Sequence, residues 1–177
     1  MRLVLTRIDD RLLHAQVALG WVGALSPDVV VVADDKLAEN RRLLPLMRMS
    51  LPSEVELVVA GVEESAGLLR QADSDTRKCI LVVRTPAEAV RILEAGVRVR
   101  AVNVGGMHFA QGKVRLLPYV YVDRQDVQAL EHLSSRDVEL TAQDVPGNPS
   151  YDLKKLLEDA GLGGPGFLTE EPGRSRD

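Results

Sequence analysis

The sequence predicts an α/β fold: a three-layer αβα sandwich with an open, mostly parallel twisted sheet of about seven strands. Two observations carry this prediction. Short apolar, often β-branched runs recur along the chain, and amphipathic segments with helical spacing separate them. The early runs are continuously apolar rather than alternating, which is typical of parallel strands covered by helices on both faces. Sheets of this kind carry their ligand sites at the carboxyl ends of the strands.

The apolar runs are the predicted strands. They are LVL at 3–5, VVVVA at 29–33, VELVVA at 55–60, CILVV at 79–83, VRAVNV at 99–104, YVYV at 119–122 and VELTA at 138–142. Cys79, the only cysteine of the chain, opens one of these runs. It has no partner for an internal disulfide, so we expect a small buried residue without a chemical role.

The amphipathic segments are the predicted helices. They are AQVALGWVGAL at 15–25, LAENRRLLPLMRM at 37–49, PAEAVRILEAG at 86–96, DRQDVQALEHL at 123–133 and YDLKKLLEDAG at 151–161. The clearest start is at Thr85, which can cap a helix with Pro86 at its first position and Glu88 completing a capping box. Pro45 interrupts the segment 36–49 and is expected to kink its helix.

Composition indicates one globular domain. The chain has 177 residues, 45% of them apolar and 27% charged. We expect the domain to cover residues 1–161 and residues 162–177, rich in Gly, Pro and charge, to form a flexible C-terminal tail. The net charge of −4 excludes binding of nucleic acid through an overall basic excess. No apolar run approaches the roughly 20 residues of a membrane span, and the charged start does not resemble a signal peptide, so a cytoplasmic location is expected.

Chemically capable side chains cluster after the first predicted strand. They are Arg7, Asp9, Asp10, Arg11, His14 and Gln16. In a parallel sheet this segment lies at the carboxyl edge, and the following helix directs its amino terminus toward it, which favours an anion. A neutral imidazole is nucleophilic near neutral pH, so His14 is a candidate phosphoryl carrier.

Groups near His14 could neutralise the transferred phosphoryl group in this hypothesis. Phosphoryl transfer needs in-line positioning and neutralisation of the equatorial oxygens. Arg7, Arg11 and the backbone N–H groups near Ala15 and Gln16 could supply that neutralisation.

The two aspartates allow two interpretations. Asp9 or Asp10 could hold the tautomer of His14 through the second ring nitrogen. Alternatively, if the helix begins at Asp9 or Asp10, then Asp10 and His14 form an ordinary i,i+4 pair on its first turn and Arg11 is solvated. The residues alone leave both interpretations open.

A second polar segment follows the fifth predicted strand. It contains Asn103, Gly105, Gly106 and His108, and we expect it at the same edge of the sheet. Five residues separate Gly106 from Gly112, whereas a Walker A motif has four between its glycines. Val114 also stands where that motif has Ser or Thr. The paired glycines would permit a tight turn with close backbone approach, and a loop histidine is more often structural or exposed than catalytic.

The remaining polar candidates have ordinary interpretations. Asp34 and Asp35 end the second predicted strand, and one of them is expected to cap the next helix. His132 is expected on a helix surface. Neither Cys/His nor paired-His spacing indicates a metal site, and no cofactor is predicted.

Several of these segments together resemble a known family. The chain is similar to the IIB components of the mannose/fructose/sorbose family of sugar phosphotransferase systems, whose signature is usually RIDDRLIHGQV followed by a tryptophan. The matching segments, which span about residues 1–160, are RIDDRLLHAQVALGW, VVVADD, TPAEAVRILEAGV and VNVGGMHFAQGK.

The resemblance implies a phosphoryl carrier whose first loop presents His14. In that family the histidine accepts a phosphoryl group from a phosphohistidine on a IIA domain. It passes the group to a sugar bound by the membrane components IIC and IID, with which the protein would associate peripherally. The resemblance places Arg7, Asp9, Asp10, Arg11 and Gln16 in the signature around the carrier, and the segment 103–106 in the same site. Ala15 stands where the family usually has glycine.

Two other function classes are alternatives to this carrier. One is a IIB-like regulatory phosphoprotein that is not coupled to sugar transport. The other is a nucleotide- or cofactor-binding α/β domain, against which the absence of GxGxxG after the first strand argues.

Overall fold

The structure, a computed structural model, describes residues 1–71 and 75–163. The strands are β1 (Arg2–Asp9), β2 (Val29–Ala33), β3 (Glu56–Ala60), β4 (Lys78–Val83), β5 (Ala101–Gly106), β6 (Val114–Leu117), β7 (Val120–Val122), β8 (Glu139–Ala142) and β9 (Tyr151–Asp152). The helices are α1 (Val22–Leu25), α2 (Asp35–Glu39), α3 (Leu44–Met49), α4 (Val62–Gln71), α5 (Pro86–Glu94), α6 (Arg124–Ser135) and α7 (Leu153–Asp159). A π-helical segment, Gln16–Trp21, runs directly into α1.

Seven strands form one sheet in the order β3-β2-β4-β1-β5-β8-β9. All neighbouring pairs are parallel except β8 and β9, which are antiparallel. Residues of β2 alternate between two apolar clusters: Val29 and Val31 belong to the cluster that includes residues of α4 to α7, whereas Val30 and Val32 belong to the one that includes residues of the π-helical segment and α2. Both faces of the sheet are therefore covered. The predicted three-layer α/β fold is confirmed.

The composition of the sheet differs from the prediction at YVYV, 119–122. Residues Val120–Val122 form β7, which pairs with β6 in a separate antiparallel hairpin. The residues between β5 and β7 form β6 and turns rather than a crossover helix, so Val120 meets the end of β5 only through one parallel bridge to Met107. After the crossover through α6, β8 takes the position beside β5 instead. The seventh strand is β9, formed by residues that were predicted to begin the last helix.

The predicted kink at Pro45 is wrong. The chain leaves α2 at Asn40, passes through a 3-10 turn at Arg41–Leu43 and enters α3 with Pro45 in its first turn. There the missing N–H has no intrahelical partner to lose. The prediction also omitted α4, although its buried Val62, Ala66 and Leu69 recur at helical spacing.

Local helix signals are confirmed. The Thr85 hydroxyl caps α5 by accepting a hydrogen bond from the N–H of Glu88, and the Glu88 carboxylate accepts one from the N–H of Thr85. Asp34 caps α2 by accepting a 2.6 Å hydrogen bond from the N–H of Leu37. Cys79 is fully buried.

The predicted domain boundary at residue 161 excludes a residue that packs into the core. Leu162 is buried against α7 and donates its N–H to the Leu157 carbonyl. The body therefore extends at least to Leu162. The predicted tail from residue 164 onward lies outside the described residues.

Candidate functional site

The loop after β1 is shaped by a left-handed residue. Leu12 has a φ of 55°, a conformation that side chains with a Cβ seldom adopt. Leu12 and Leu13 are both buried, and the Leu12 N–H donates to the Asp9 carbonyl, so packing and a tight turn hold this backbone. The carbonyl of His14 then accepts the first helical bond, from Ala18. The helix consequently starts immediately after His14.

This geometry excludes one interpretation of the sequence. Because the left-handed Leu12 lies between Asp10 and His14, these two residues cannot form an i,i+4 pair on one helix. Asp10 pairs with His108 instead.

Both nitrogens of His14 have partners. Nδ1 lies 2.9 Å from the Leu12 carbonyl and 3.8 Å from Oδ1 of Asp9, and Nε2 lies 3.2 Å from Oε1 of Gln16. Gln16 Oε1 also accepts a 3.1 Å hydrogen bond from Nη2 of the exposed Arg11. The His14 side chain is 17% exposed. The imidazole is therefore held by neighbouring residues but accessible at the carboxyl edge of the sheet.

Arg7 has a different position from the one expected for a phosphate ligand. It is fully buried and donates to Oδ2 of Asp9 (2.8 and 3.2 Å), Oδ1 of Asn103 (2.6 Å) and the carbonyls of Gln143 and Asp144 (3.0 Å each). These bonds occupy all five N–H donors of a guanidinium. Burial lowers the pKa of Arg7, and the Asp9 carboxylate opposes that change. Arg7 thus positions Asp9 and the end of β1 rather than offering free donors.

The paired glycines allow this packing. Gly105 and Gly106 lie in β5 rather than in the predicted turn, so that part of the prediction is wrong. A Cβ on Gly105 would overlap the Arg7 guanidinium, and one on Gly106 would lie 2.9 Å from Oδ1 of Asp9. The expected close approach is confirmed: the backbone of β5 at Gly105 and Gly106 packs against the buried Arg7–Asp9 pair.

The residues that support Arg7 just after β8 were not among the predicted site residues. The Asp144 carbonyl accepts from Arg7 and, at 3.1 Å, from Nε1 of Trp21, whose ring lies 5.6 Å below the Arg7 guanidinium carbon. Gln143 and Asp144 directly follow the predicted strand 138–142. That position at the carboxyl edge of the sheet could have identified them as site residues.

Arg84 was also missed. Its Nε donates to Oδ2 of the buried Asp34 at 2.6 Å, and its Nη1 donates to the backbone carbonyl of Asp10 at 2.8 Å. Arg84 directly follows β4, so it connects the ends of three neighbouring strands. The hydrogen bond and charge of Asp34 raise the pKa of Arg84.

Ala15, which replaces the usual family glycine, has ordinary helical backbone angles of φ −54° and ψ −39°. No left-handed conformation requires a glycine there. Within the two described ranges, no group of three or more His, Cys, Asp or Glu side chains could hold a metal ion.

Comparisons with known proteins identify the family of this chain. Residues 3–163 match the family described as the PTS system sorbose subfamily IIB component. The chain belongs to this family. It is 38% identical over 155 residues to the N-acetylgalactosamine-specific phosphotransferase enzyme IIB component 2 of Escherichia coli (strain K12), covering 88% of this chain and 98% of that protein. The crystal structure of the IIBSor domain of the Klebsiella pneumoniae sorbose permease superposes with a TM-score of 0.84 at 25% identity, covering 90% of this chain and 98% of that one.

Family membership establishes the reaction class. The chain is a IIB phosphotransferase component, a phosphoryl carrier between a IIA partner and a sugar during uptake. A purely regulatory role is not favoured. In one relative, the mannose-specific EIIAB component of E. coli (strain K12), 31% identical over 153 residues, this chain matches 47% of the length. None of the helices described is long and apolar enough to cross a bilayer.

Proposed function

We propose that His14 is the residue that carries the phosphoryl group. The observation that supports this most directly is its position: a partly exposed imidazole in the loop after β1, at the carboxyl edge of a parallel sheet and at the start of a helix. An active site of a doubly wound sheet lies at this edge. His132, by contrast, lies on α6 and contacts Glu94.

The chemistry requires an unprotonated ring nitrogen of His14 that can reach phosphorus. An imidazole nitrogen attacks the phosphorus of the phosphohistidine on IIA, a new N–P bond forms, and the donor N–P bond breaks. A sugar hydroxyl then attacks that phosphorus: the O–P bond forms, the His14 N–P bond breaks to release the imidazole, and the hydroxyl proton passes to water. Each nitrogen faces an acceptor oxygen, Leu12 O or Gln16 Oε1, and a neutral imidazole donates to only one of them. The other nitrogen is unprotonated, and it attacks once the ring turns it away from the facing oxygen.

Neighbouring groups stabilise the transferred phosphoryl group in this proposal. Arg11 is exposed beside Gln16 and can turn its guanidinium toward the equatorial oxygens. The N–H groups of the first helical turn, near Ala15 and Gln16, point toward the loop. Asp9 lies 3.8 Å from Nδ1 of His14, is held in place by Arg7, and can stabilise a positive imidazole.

We assign the docking face to the surface around His14, for IIA and for the membrane components IIC and IID. Two exposed apolar side chains flank the functional loops: Leu19 on the helix after His14, and Phe109 beside His108, with 76% and 71% of their surfaces exposed. Phe109 packs edge-on against Tyr121, 5.8 Å between ring centroids, which holds it in place. The small transient interfaces of such carriers need no larger apolar patch.

Phosphorylation of purified variants tests the carrier assignment. The protein is incubated with phosphoenolpyruvate, the general phosphotransferase proteins and a IIA protein of this family, and acid-labile phosphate is measured. We expect label on wild type and on the matched controls His108→Ala and His132→Ala, and none on His14→Ala. Label on folded His14→Ala would refute the assignment, as would loss of label in both control variants.

A further inference from the structure

The sheet opens between β1 and β5 on the side away from His14. The two strands pair at Arg7 with Asn103, at Ile8 with Val104 and at Asp9 with Gly106. Before Arg7, β1 pairs with β4, and the start of β5 pairs with β8. The facing edges of β1 and β5 thus carry backbone N–H and C=O groups without a strand partner in the described chain. Such groups require other hydrogen-bonding partners.

This opening forms a cleft of about 1000 Å³, which we call the β1–β5 cleft. Leu3–Thr6 form one wall and Ala101–Asn103 the other, with Trp21 also in its lining. Leu3, Val4 and Leu5 are partly exposed although β1 is the middle strand of the sheet. A central strand is normally covered on both faces, so this exposure marks a solvent-accessible opening.

Four arginines line the cleft: Arg2, Arg70, Arg98 and Arg100. All four are exposed, and none forms an ion pair with another described residue. The lining of the cleft contains no carboxylate, on a chain whose net charge is −4. Guanidinium groups match the geometry of phosphate oxygens, often through two parallel hydrogen bonds. The charge of the cleft therefore selects an anion.

We propose that the β1–β5 cleft binds a small phosphorylated polyhydroxyl ligand, of the sugar phosphate class. The arginines contact the phosphate, and the partly exposed backbone of Leu3–Leu5, the exposed Ala101 and the Thr141 hydroxyl offer partners for hydroxyl groups. A cleft of this size matches the usual volume of small-molecule sites.

The arginine-rich end of this cleft is separate from the phosphoryl-transfer site. β1 runs from Arg2, in the cleft, to Asp9, beside His14. Seven residue steps of about 3.3 Å place the two ends of this strand roughly 23 Å apart. A phosphate held near Arg2 cannot reach the His14 imidazole, so the ligand of the cleft is not a bound form of the reacting phosphoryl group.

Titration of the full chain by amide NMR tests the proposal. The probes are glucose 6-phosphate, glucose and inorganic phosphate. We expect saturable shifts of the amides of residues 3–6 and 101–103 with glucose 6-phosphate, and binding at least about tenfold weaker with either fragment. Arg98→Gln combined with Arg100→Gln should weaken the binding at least about tenfold. The charge-matched control, Arg115→Gln with Arg136→Gln, changes two exposed arginines outside the cleft and should leave it unchanged.

Three results would overturn the proposal. The first is the absence of saturable shifts in the cleft with glucose 6-phosphate. The second is equal affinity in the Arg98/Arg100 variant and the control variant. The third is inorganic phosphate binding as tightly as glucose 6-phosphate, which would reduce the cleft to a nonspecific anion patch. None of these readouts depends on phosphorylation of His14.

Discussion

The carboxylate of Asp10 binds His108 through both of its oxygens. Oδ2 accepts the backbone N–H of His108 at 2.7 Å, and Oδ1 lies 2.7 Å from Nδ1 of its ring. These residues are 98 positions apart in the sequence. Their contact fastens the turn after β1 to the segment after β5, directly beside the loop that presents His14.

Replacing Asp10 should slow phosphoryl transfer without unfolding the protein. Asp10→Asn keeps one acceptor oxygen and loses the charge, so the segment after β5 is held less firmly. We expect kcat/KM for transfer from IIA to fall about three- to tenfold, because misplacement of a positioned group is costly. Rapid-quench measurement of phosphoryl transfer gives this value.

The double variant Asp10→Asn/His108→Ala is the control for the contact between these two residues. Both side chains are partly exposed, at 33% and 46%, so water screens their interaction. A double-mutant cycle on unfolding should give a coupling of about 0.5 kcal/mol. Full additivity of the two substitutions, in stability and in rate, would show that the contact has no energetic role.

Replacement by methionine should lower stability at Arg7 and the rate of phosphoryl transfer at Arg11. Arg7→Met leaves the buried Asp9 carboxylate without its cation, and we expect the free energy of unfolding to fall by about 3–5 kcal/mol. Arg11→Met removes an exposed side chain and should change it by less than about 0.5 kcal/mol, while slowing phosphoryl transfer at least about tenfold. Urea unfolding and transfer kinetics together measure the difference.

Adding Asp9→Asn to Arg7→Met checks the cause. This removes the charge that Arg7→Met leaves unpaired, so the double variant should be more stable than the sum of the two single changes predicts. An Arg7→Met protein as stable as wild type would contradict the positioning role.

Gly105→Ala should destabilise the protein through Arg7. The new Cβ would overlap a guanidinium that is fully buried and hydrogen-bonded at every donor, so neither group can move aside cheaply. We expect a loss of at least about 3 kcal/mol in urea unfolding. Gly23→Ala is the matched control: its Cβ would meet nothing within 4 Å, and alanine in a helix should stabilise by about 0.5–1 kcal/mol. Equal effects at both positions would refute this explanation.

Ala15→Gly should restore the usual family residue without a gain in rate. Ala15 already has helical backbone angles, so its methyl group strains nothing. We expect the free energy of unfolding to fall by about 0.5 kcal/mol, because glycine loses more backbone entropy on folding. The transfer rate should stay within about twofold. A much faster Ala15→Gly protein would mean that transfer uses a loop conformation that alanine disfavours.

Cys79 should be inert in the folded protein. Burial raises the pKa of its thiol to about 12, so the reactive thiolate is scarce at neutral pH. A disulfide reagent should modify the native protein only as fast as it unfolds, and the urea-unfolded chain at once. Since folding raises this pKa, the thiol contributes stability below about pH 8.5 that declines at higher pH. The free energy of unfolding of Cys79→Ala should therefore decline less than that of wild type above about pH 8.5. Rapid labelling of the native thiol would contradict both the slow modification and this pH dependence.

Features that depend on neighbouring residues were predictable from the sequence. The cap at Thr85 and the cap by Asp34 act within three residues of their helices. The continuous apolar run of β2 indicates burial on both faces, because successive side chains point to opposite sides of the sheet. The segment with His14 could be recognised because its chemically active residues are close in sequence.

Contacts between distant segments were decided by the tertiary structure. Strand order brings the end of β8 to Arg7 and brings His108 to Asp10, and no local preference specifies that order. The crossover through α6 assigns the place beside β5 to β8, so the equally apolar Val120–Val122 pairs with β6 in a hairpin just beyond the end of β5. The sequence by itself determined the layers of the fold and the position of His14 in its loop. Only the folded chain decided which partners hold that loop and where the sheet opens, because both depend on which strand edges meet across long stretches of chain.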